Sequence, residues 1–405
     1  MCPNHNASLR GVRRQSPVLN QRENTYRIPV HFIRIKSPNT NDMNTLFRIL
    51  FFSLFVGLIT PLSAQGEYYG VNALGGQFGI GGIFKFDEDG TDATLVYSFE
   101  TDFPGTSPEE VTLVEYNGIL YGTTVFGGAF DAGVLYSYDL SNQTYSIIHD
   151  FDPDVSGQFP EGALAVTASG QVYGFTSTGS ASALGGIIYE YDTNTATFTI
   201  LTNLGSTALF NGISTLIIGS DGNLYGTSSG GGDFNNGAIY QFDLTTNTLT
   251  VLHSLDDGND EGDDPESPLL EVGSGLFYGV ADNGGANNDG VFFSYDLNTD
   301  TYTNLVNFQA SSNGEFPRGT LLYASNQKIY GTTEEGGSDD VGTIYEFDPV
   351  TGILTSLHSF DEDNGEEPVS GLIEVGTGLL YGVTQRGGDF NDGIVYEYNL
   401  NTNTF

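Results

Sequence analysis

The sequence predicts an all-β ring of seven blades, each a four-stranded antiparallel sheet, with the first and last blades incomplete. Three observations predict this. Tyr-Gly pairs recur at Tyr69, Tyr121, Tyr173, Tyr225, Tyr278, Tyr330 and Tyr381, and a period of about 50 residues marks a propeller or solenoid. Each period carries four short runs rich in aromatic and branched residues, bounded by Gly, Asn, Asp and Pro, which is the composition of strands and turns. After residue 65 no stretch sustains helical periodicity.

The chain starts with two segments that stand outside the fold. Residues 1–42 are basic and without period, and read as a disordered leader or as residues upstream of a true start at Met43. Residues 43–64 read as a secretory signal: Arg48, then an apolar run from Ile49 to about Ile59, then small residues at Ser63 and Ala64. The apolar run is too short to span a bilayer comfortably. The repeat region is 66–405.

In the fifth unit strand A is 267–272, strand B 276–280, strand C 291–296 and strand D 302–308. Paired glycines follow strand B, as Gly127-Gly128, Gly284-Gly285, Gly336-Gly337 and Gly387-Gly388, where positive φ or a bulge excludes a Cβ. An Asp closes strand C (Asp139, Asp192, Asp243, Asp296, Asp348) and can accept hydrogen bonds from its own turn. Six residues later an apolar side chain, Tyr145, Phe198, Leu249, Tyr302 or Leu354, opens strand D and is expected to pack between sheets. One sheet cannot cover both of its faces, whereas seven in a ring cover one another. The first unit supplies no strand A of its own, and the last stops at Phe405, where strand D begins.

The glycine pair after strand B and the aromatic-x-aromatic-Asp ending of strand C resemble the kelch propeller blade, with Tyr, Phe or Leu in place of its Trp. The fuller pattern, LYGTT then GG, IYxYD and LHSF, resembles the bacterial GloVer repeat family across residues 66–405. That resemblance implies a secreted or surface-displayed bacterial repeat protein and little chemistry.

Composition narrows the function. The formal net charge is -39. After residue 65 the only basic residues are Lys85, Arg318, Lys328 and Arg386. Such a surface repels nucleic acid and anionic lipid. The single cysteine is Cys2, so the repeats hold no disulfide, thiolate zinc site or thiol nucleophile. His149, His253 and His358 share one repeat position in strand D, on the outer rim, held elsewhere by Tyr97, Thr202 and Val306, and read as structural. Tyr173, Tyr225 and Tyr381 read as inter-blade core rather than as a sugar platform.

In an up-and-down blade the B–C and D–A loops emerge on one face, and most acidic residues fall in those loops. The candidate binding face comprises Asp233, Asp282, Asp289, Asp339, Asp340, Asp389 and Asp392. Oxygen-rich loops suit calcium, and Asp256, Asp257, Asp260, Asp263 and Asp264 are the candidate ligands, although their spacing is not that of an EF-hand. The plainer reading is of solvated acidic loops. No other cofactor is expected. Two arginines are too few for a sialidase-type cluster, and carboxylates are too abundant to single out a hydrolytic pair.

The expectation is a monomeric, extracellular or surface-bound module whose partner is a protein or a glycan, acting by binding rather than catalysis. The alternatives are a glycan hydrolase or lyase using carboxylates of the acidic face, and a calcium-stabilised adhesion module. A pocket where several blades contribute polar residues outside the repeat pattern would favour the enzyme.

Overall fold

The computed structural model describes residues 60–62, 67–72, 77, 81–87, 94–99 and 105–106, and from 113 to 405 all but 180–185, 205–212, 257, 259, 362 and 389–392. The predicted leader and most of the predicted signal fall outside this set. The described chain forms a seven-bladed β-propeller of antiparallel sheets, each laid down in sequence order A-B-C-D. Strands A of successive blades touch, which places them innermost. In blade 5 the strands are Leu270–Glu271, Leu276–Ala281, Val291–Asp296 and Thr301–Asn307. Blade 7 has three, Ile373–Val375, Leu379–Val383 and Val395–Asn399. Blade 1 takes only strands B to D from the repeat, and Thr60–Leu62, within the predicted signal, pairs along its inner edge.

Register explains the Tyr-Gly pair. Gly122 of strand B stands opposite Tyr136 of strand C. A Cβ on Gly122 would lie 2.5 Å from the Tyr136 hydroxyl oxygen and 2.9 Å from Leu113 Cδ2. The strand C ring therefore folds over a bare Cα, and Gly174, Gly279, Gly331 and Gly382 repeat the arrangement. The glycine pairs after strand B do need φ > 0: Gly127 and Gly128 adopt 87° and 76°, and Gly336 and Gly337 adopt 83° and 87°. The Asp closing strand C caps its own turn, as where Asp139 Oδ1 accepts from the Ser141 amide at 2.8 Å.

The core is divided among blade junctions. Six clusters of buried residues each straddle two consecutive blades, from 1–2 to 6–7. Tyr173 and Tyr225 belong to them, as expected of core residues. Tyr381 is half-buried and bonds Glu397 through its hydroxyl.

Strand D carries a device that the repeat pattern does not announce. Every C–D pairing slips by one residue at the same place, as between Leu135 and Tyr136, and leaves Ile148 extra on strand D. Tyr145 and His149 are four apart and would share a face in a regular strand. The bulge reverses the alternation. Tyr145 therefore faces blade 1, stacked on Tyr97 at 4.3 Å between centroids, while His149 faces blade 3, stacked on Phe198 at 3.7 Å. His253 stacks on Tyr302 at 4.4 Å, and His358 on Phe405 at 3.9 Å. The residue six after the strand C turn is thus a plug received by the preceding blade. Where the plug is Leu249 or Leu354, the residue at the receiving position is Thr202 or Val306.

His149 and His253 also hold the D–A loops. His149 Nε2 meets Ser156 Oγ at 3.1 Å, and that hydroxyl accepts from the Asp152 amide at 2.9 Å. His253 Nε2 meets Glu261 Oε2 at 2.9 Å, and the same carboxylate accepts from the Asp256 amide at 3.1 Å. Their role as structural residues has this physical basis.

Candidate functional site: a polar rim over blades 5 to 7

The predicted acidic residues do not form one site. Asp233, Asp339 and Asp340 are exposed at separate B–C tips, Asp289 is half-buried, and Asp389 and Asp392 lie outside the described residues. Of the calcium candidates, Asp257 is also outside them. Asp256 Oδ1 accepts from the Gly258 amide at 3.0 Å, and Asp263 Oδ1 from the Asp264 amide at 3.0 Å. Asp260 is exposed, and its carbonyl accepts from Asn304. Among the described residues no three His, Cys, Asp or Glu side chains are grouped to hold an ion.

Asp282 departs from the expectation of an exposed face. It follows directly on strand B of blade 5 and is fully buried. Its Oδ2 accepts from Arg318 Nε at 2.5 Å, and its Oδ1 has no hydrogen-bond partner among the described residues. Arg318 comes from the start of blade 6 and also donates through Nη1 to Glu334, at the end of strand B in blade 6, at 2.8 Å. In blade 7, Arg386 Nη1 donates to Glu367 at 2.9 Å. Three successive blades thus converge on one rim of the loop face.

The backbone explains the placement. Before strand A of blades 3, 5, 6 and 7 a left-handed residue precedes a proline: Phe159-Pro160, Asp264-Pro265, Phe316-Pro317 and Glu367-Pro368, with φ of 58°, 54°, 54° and 54°. Non-glycine residues rarely adopt this region. The carbonyl of each accepts from the amide just past strand B of the same blade, namely Ser177, Asp282, Glu334 or Gln385, at 2.9 to 3.2 Å. This turn holds the chain between the inner end of strand B and the start of strand A, and leaves both flanking side chains free to differ between blades. At the first position the chain places Val125, Ser177, Ser229, Asp282, Glu334 and Gln385 in turn, and after the proline Glu161, Glu266, Arg318 and Val369.

Electrostatics sets the rim apart. Burial pushes the Asp282 carboxyl well above its ordinary value, with Arg318 pulling it back and Glu266 adding to the rise. Burial also raises Glu334, against the pull of Arg318, and Glu335 and Glu266 raise it further. Glu367 is raised by burial, against Arg386, with Glu334 and Glu335 adding. Burial alone would lower Arg318, but Asp282 and Glu334 outweigh it and raise the guanidinium. Arg318 and Arg386 keep 40% and 56% of their side-chain surface open, so both present donors outward. On blades 2 and 3 the same rim is aromatic: Phe126, 39% exposed, meets Phe159 edge-on at 5.4 Å.

Sequence reading missed this site because Arg318 and Arg386, set aside as too few, lie 68 residues apart in the chain. The available signal was their scarcity: half of the basic residues after position 65 come to one rim.

Comparison with known proteins fits the fold. No curated protein matches the chain. Among solved structures, two extracellular domains from B. thetaiotaomicron align with TM-scores of 0.58 and 0.56, at 12% and 17% identity, each over 83% of this chain. The chain spans only 38% and 39% of their lengths. An oligogalacturonate lyase in complex with manganese aligns with a TM-score of 0.56 at 12% identity, over 83% of this chain and 86% of its own. Likeness at this identity speaks for the propeller alone. In the sequence, the model of the Gloeobacter/Verrucomicrobia repeat matches residues 58–272 and 214–405. With its Tyr-Gly period built into seven blades, the chain belongs to the Gloeobacter/Verrucomicrobia repeat family.

Proposed function

We propose that the protein is an extracellular recognition module that binds a glycan at the rim of blades 5 to 7. One observation carries this site: polar residues from three blades break the repeat at one place, the feature that the sequence assigns to a glycan-active enzyme rather than to a plain scaffold. A ring held together only for its own stability has no use for a buried Asp282–Arg318 pair, since such pairs seldom outperform apolar packing. Guanidinium donors alternate here with carboxylate acceptors, and a sugar hydroxyl both donates and accepts. Phe126 offers an apolar ring face on the same side of the molecule. A secreted location accords with the apolar run of residues 49–59, which precedes the blade 1 strand Thr60–Leu62, and with the extracellular neighbours.

A glycan array probed with the wild-type protein, Arg318→Lys and Glu334→Gln tests this. Lys keeps the charge and loses the fork. The expected result is a bound glycan that both variants weaken while still melting cooperatively. Binding indifferent to both variants, or no binding at all, refutes the assignment. A second reading, a glycan lyase or hydrolase, draws on the raised Asp282 and Glu334 carboxyls and on the neighbour that cleaves oligogalacturonate. Release of shorter products from a bound glycan would establish it.

A further inference from the structure

The charges around the rim do not balance. Arg318 and Arg386 face Asp282, Glu334 and Glu367 in direct contact, with Glu266 acting on Asp282 and Glu334. With Glu335, which acts on Glu334 and Glu367, five carboxylates therefore stand against two guanidiniums within one cluster. The ion pairs leave part of this set uncommitted: Oδ1 of Asp282 is buried and finds no donor among the described residues. The rest of the molecule deepens the imbalance, since the whole chain carries a net charge of -39. An anionic ligand entering here meets repulsion from every side except the two guanidiniums, and both already donate to carboxylates. A neutral polyol satisfies hydrogen bonds but leaves the excess charge in place. A ligand with a cationic amine does both.

Resting on the reading of the rim as a glycan site, we propose that its ligand is an amino-sugar oligomer with free, protonated amines. The amine sits against Glu334 and Glu367, whose carboxylates keep 18% and 20% of their side-chain surface open above the buried Asp282, and neighbouring hydroxyls accept from the open edges of Arg318 and Arg386. This chemistry separates the site from that of a protein that takes polyuronate, whose carboxylates would face the same excess of negative charge.

Titration calorimetry tests it with glucosamine oligomers, their N-acetylated counterparts, oligogalacturonate and a lysine-rich peptide, at a pH where the amine is protonated. Acetylation removes the charge and keeps the ring and hydroxyls. The expected result is binding of the free-amine oligomer, weaker by about tenfold or more when it is acetylated, and falling with added salt. Glu334→Gln and Glu367→Gln are each expected to weaken it several-fold with the melting midpoint retained. Two carboxylate variants are used so that a folding defect in one does not decide the matter. Equal binding of the acetylated oligomer, tighter binding of oligogalacturonate, or tighter binding of the lysine peptide overturns the inference. If neutral oligomers bind and the two variants weaken them, the rim remains a glycan site and only the amine is refuted. If no glycan responds to either variant, the rim assignment itself fails.

Discussion

The stacking between a strand D residue and the plug of the next blade makes a quantitative prediction at the junction of blades 2 and 3. Phe198 stacks on His149 with centroids 3.7 Å apart and planes 5° from parallel, and on Tyr189 at 5.1 Å. An aromatic pair contributes about 0.5–1.5 kcal/mol beyond area burial. Phe198→Leu loses both partners and is expected to cost about 1.5–2.5 kcal/mol, because Phe198 is only half-buried and the lost area is small. His149→Val loses the same stacking and the Ser156 contact, about 1–2 kcal/mol together. Each single variant removes the shared stacking contribution once, and the double variant also removes it only once. The double variant, which copies the Val306 and Leu354 pair of junction 5–6, is therefore expected to be more stable than the sum of the two losses by about 1 kcal/mol. The protein contains no Trp, so far-ultraviolet circular dichroism in urea is the suitable measurement. Additivity within about 0.3 kcal/mol would show that the rings merely lie together, and the account of the junction would fall.

Further perturbations follow from the same contacts. Burial lowers the pKa of His149 and His358. Both are neutral above about pH 6.5, and the stability present there is lost as pH falls below the unfolded-state value through the depressed folded values. His149→Val with His358→Val should flatten the melting midpoint across that window, and an undiminished slope would count against it. Tyr136 has a fully buried hydroxyl with no partner, and blade 5 has Phe293 at that position, so Tyr136→Phe should be neutral or stabilising by up to about 1 kcal/mol. Thermal melting decides it, and a loss above about 1 kcal/mol would mean the hydroxyl is bonded. Glu374 ties blade 7 to blade 6 through the Ser325 amide and hydroxyl, both at 2.7 Å, and Glu374→Gln should cost about 1 kcal/mol at neutral pH, less in high salt. Asp256, Glu261 and Asp263 of the 256–266 loop already accept from backbone amides, so calcium should move the melting midpoint by less than about 1 °C, and a shift of several degrees would restore the calcium reading.

What the sequence revealed and what it hid follow from the range of the interactions involved. The Tyr-Gly pair, the glycine pair and the turn Asp are local demands: room above a Cα, a positive φ, an amide two residues on. Such demands repeat with the chain and can be read along it. The strand D bulge is also local, but period-two reading places Tyr145 and His149 on one face, because the extra residue at Ile148 leaves no compositional mark. The rim was hidden for a different reason. Asp282 looked like one loop acid among many, and only the fold brings Arg318, 36 residues onward, against it. The strand formed by Thr60–Leu62 was masked by its place at the end of an apolar run that reads as a signal.

The two ends of a blade answer to different requirements, and this yields a last prediction. At the outer strand, plug and receiver are matched in kind, rings with rings at junctions 1–2, 2–3, 4–5 and 6–7, because a mismatch opens a void in a core shared by two blades. At the inner end, the left-handed turn before Pro265, Pro317 and Pro368 is set by backbone hydrogen bonds from the residue after strand B, so the turn itself does not dictate which side chains flank it. Aspartate, glutamate and glutamine can then succeed one another at Asp282, Glu334 and Gln385 with the turn unchanged. Variants should separate accordingly. Phe198→Leu is expected to lower the melting midpoint by several degrees and leave ligand affinity unchanged, whereas Glu367→Gln should leave the midpoint within about a degree and lower affinity several-fold. A Glu367 variant that melted early while binding normally would return the rim to the scaffold and leave the ring without a distinguished place.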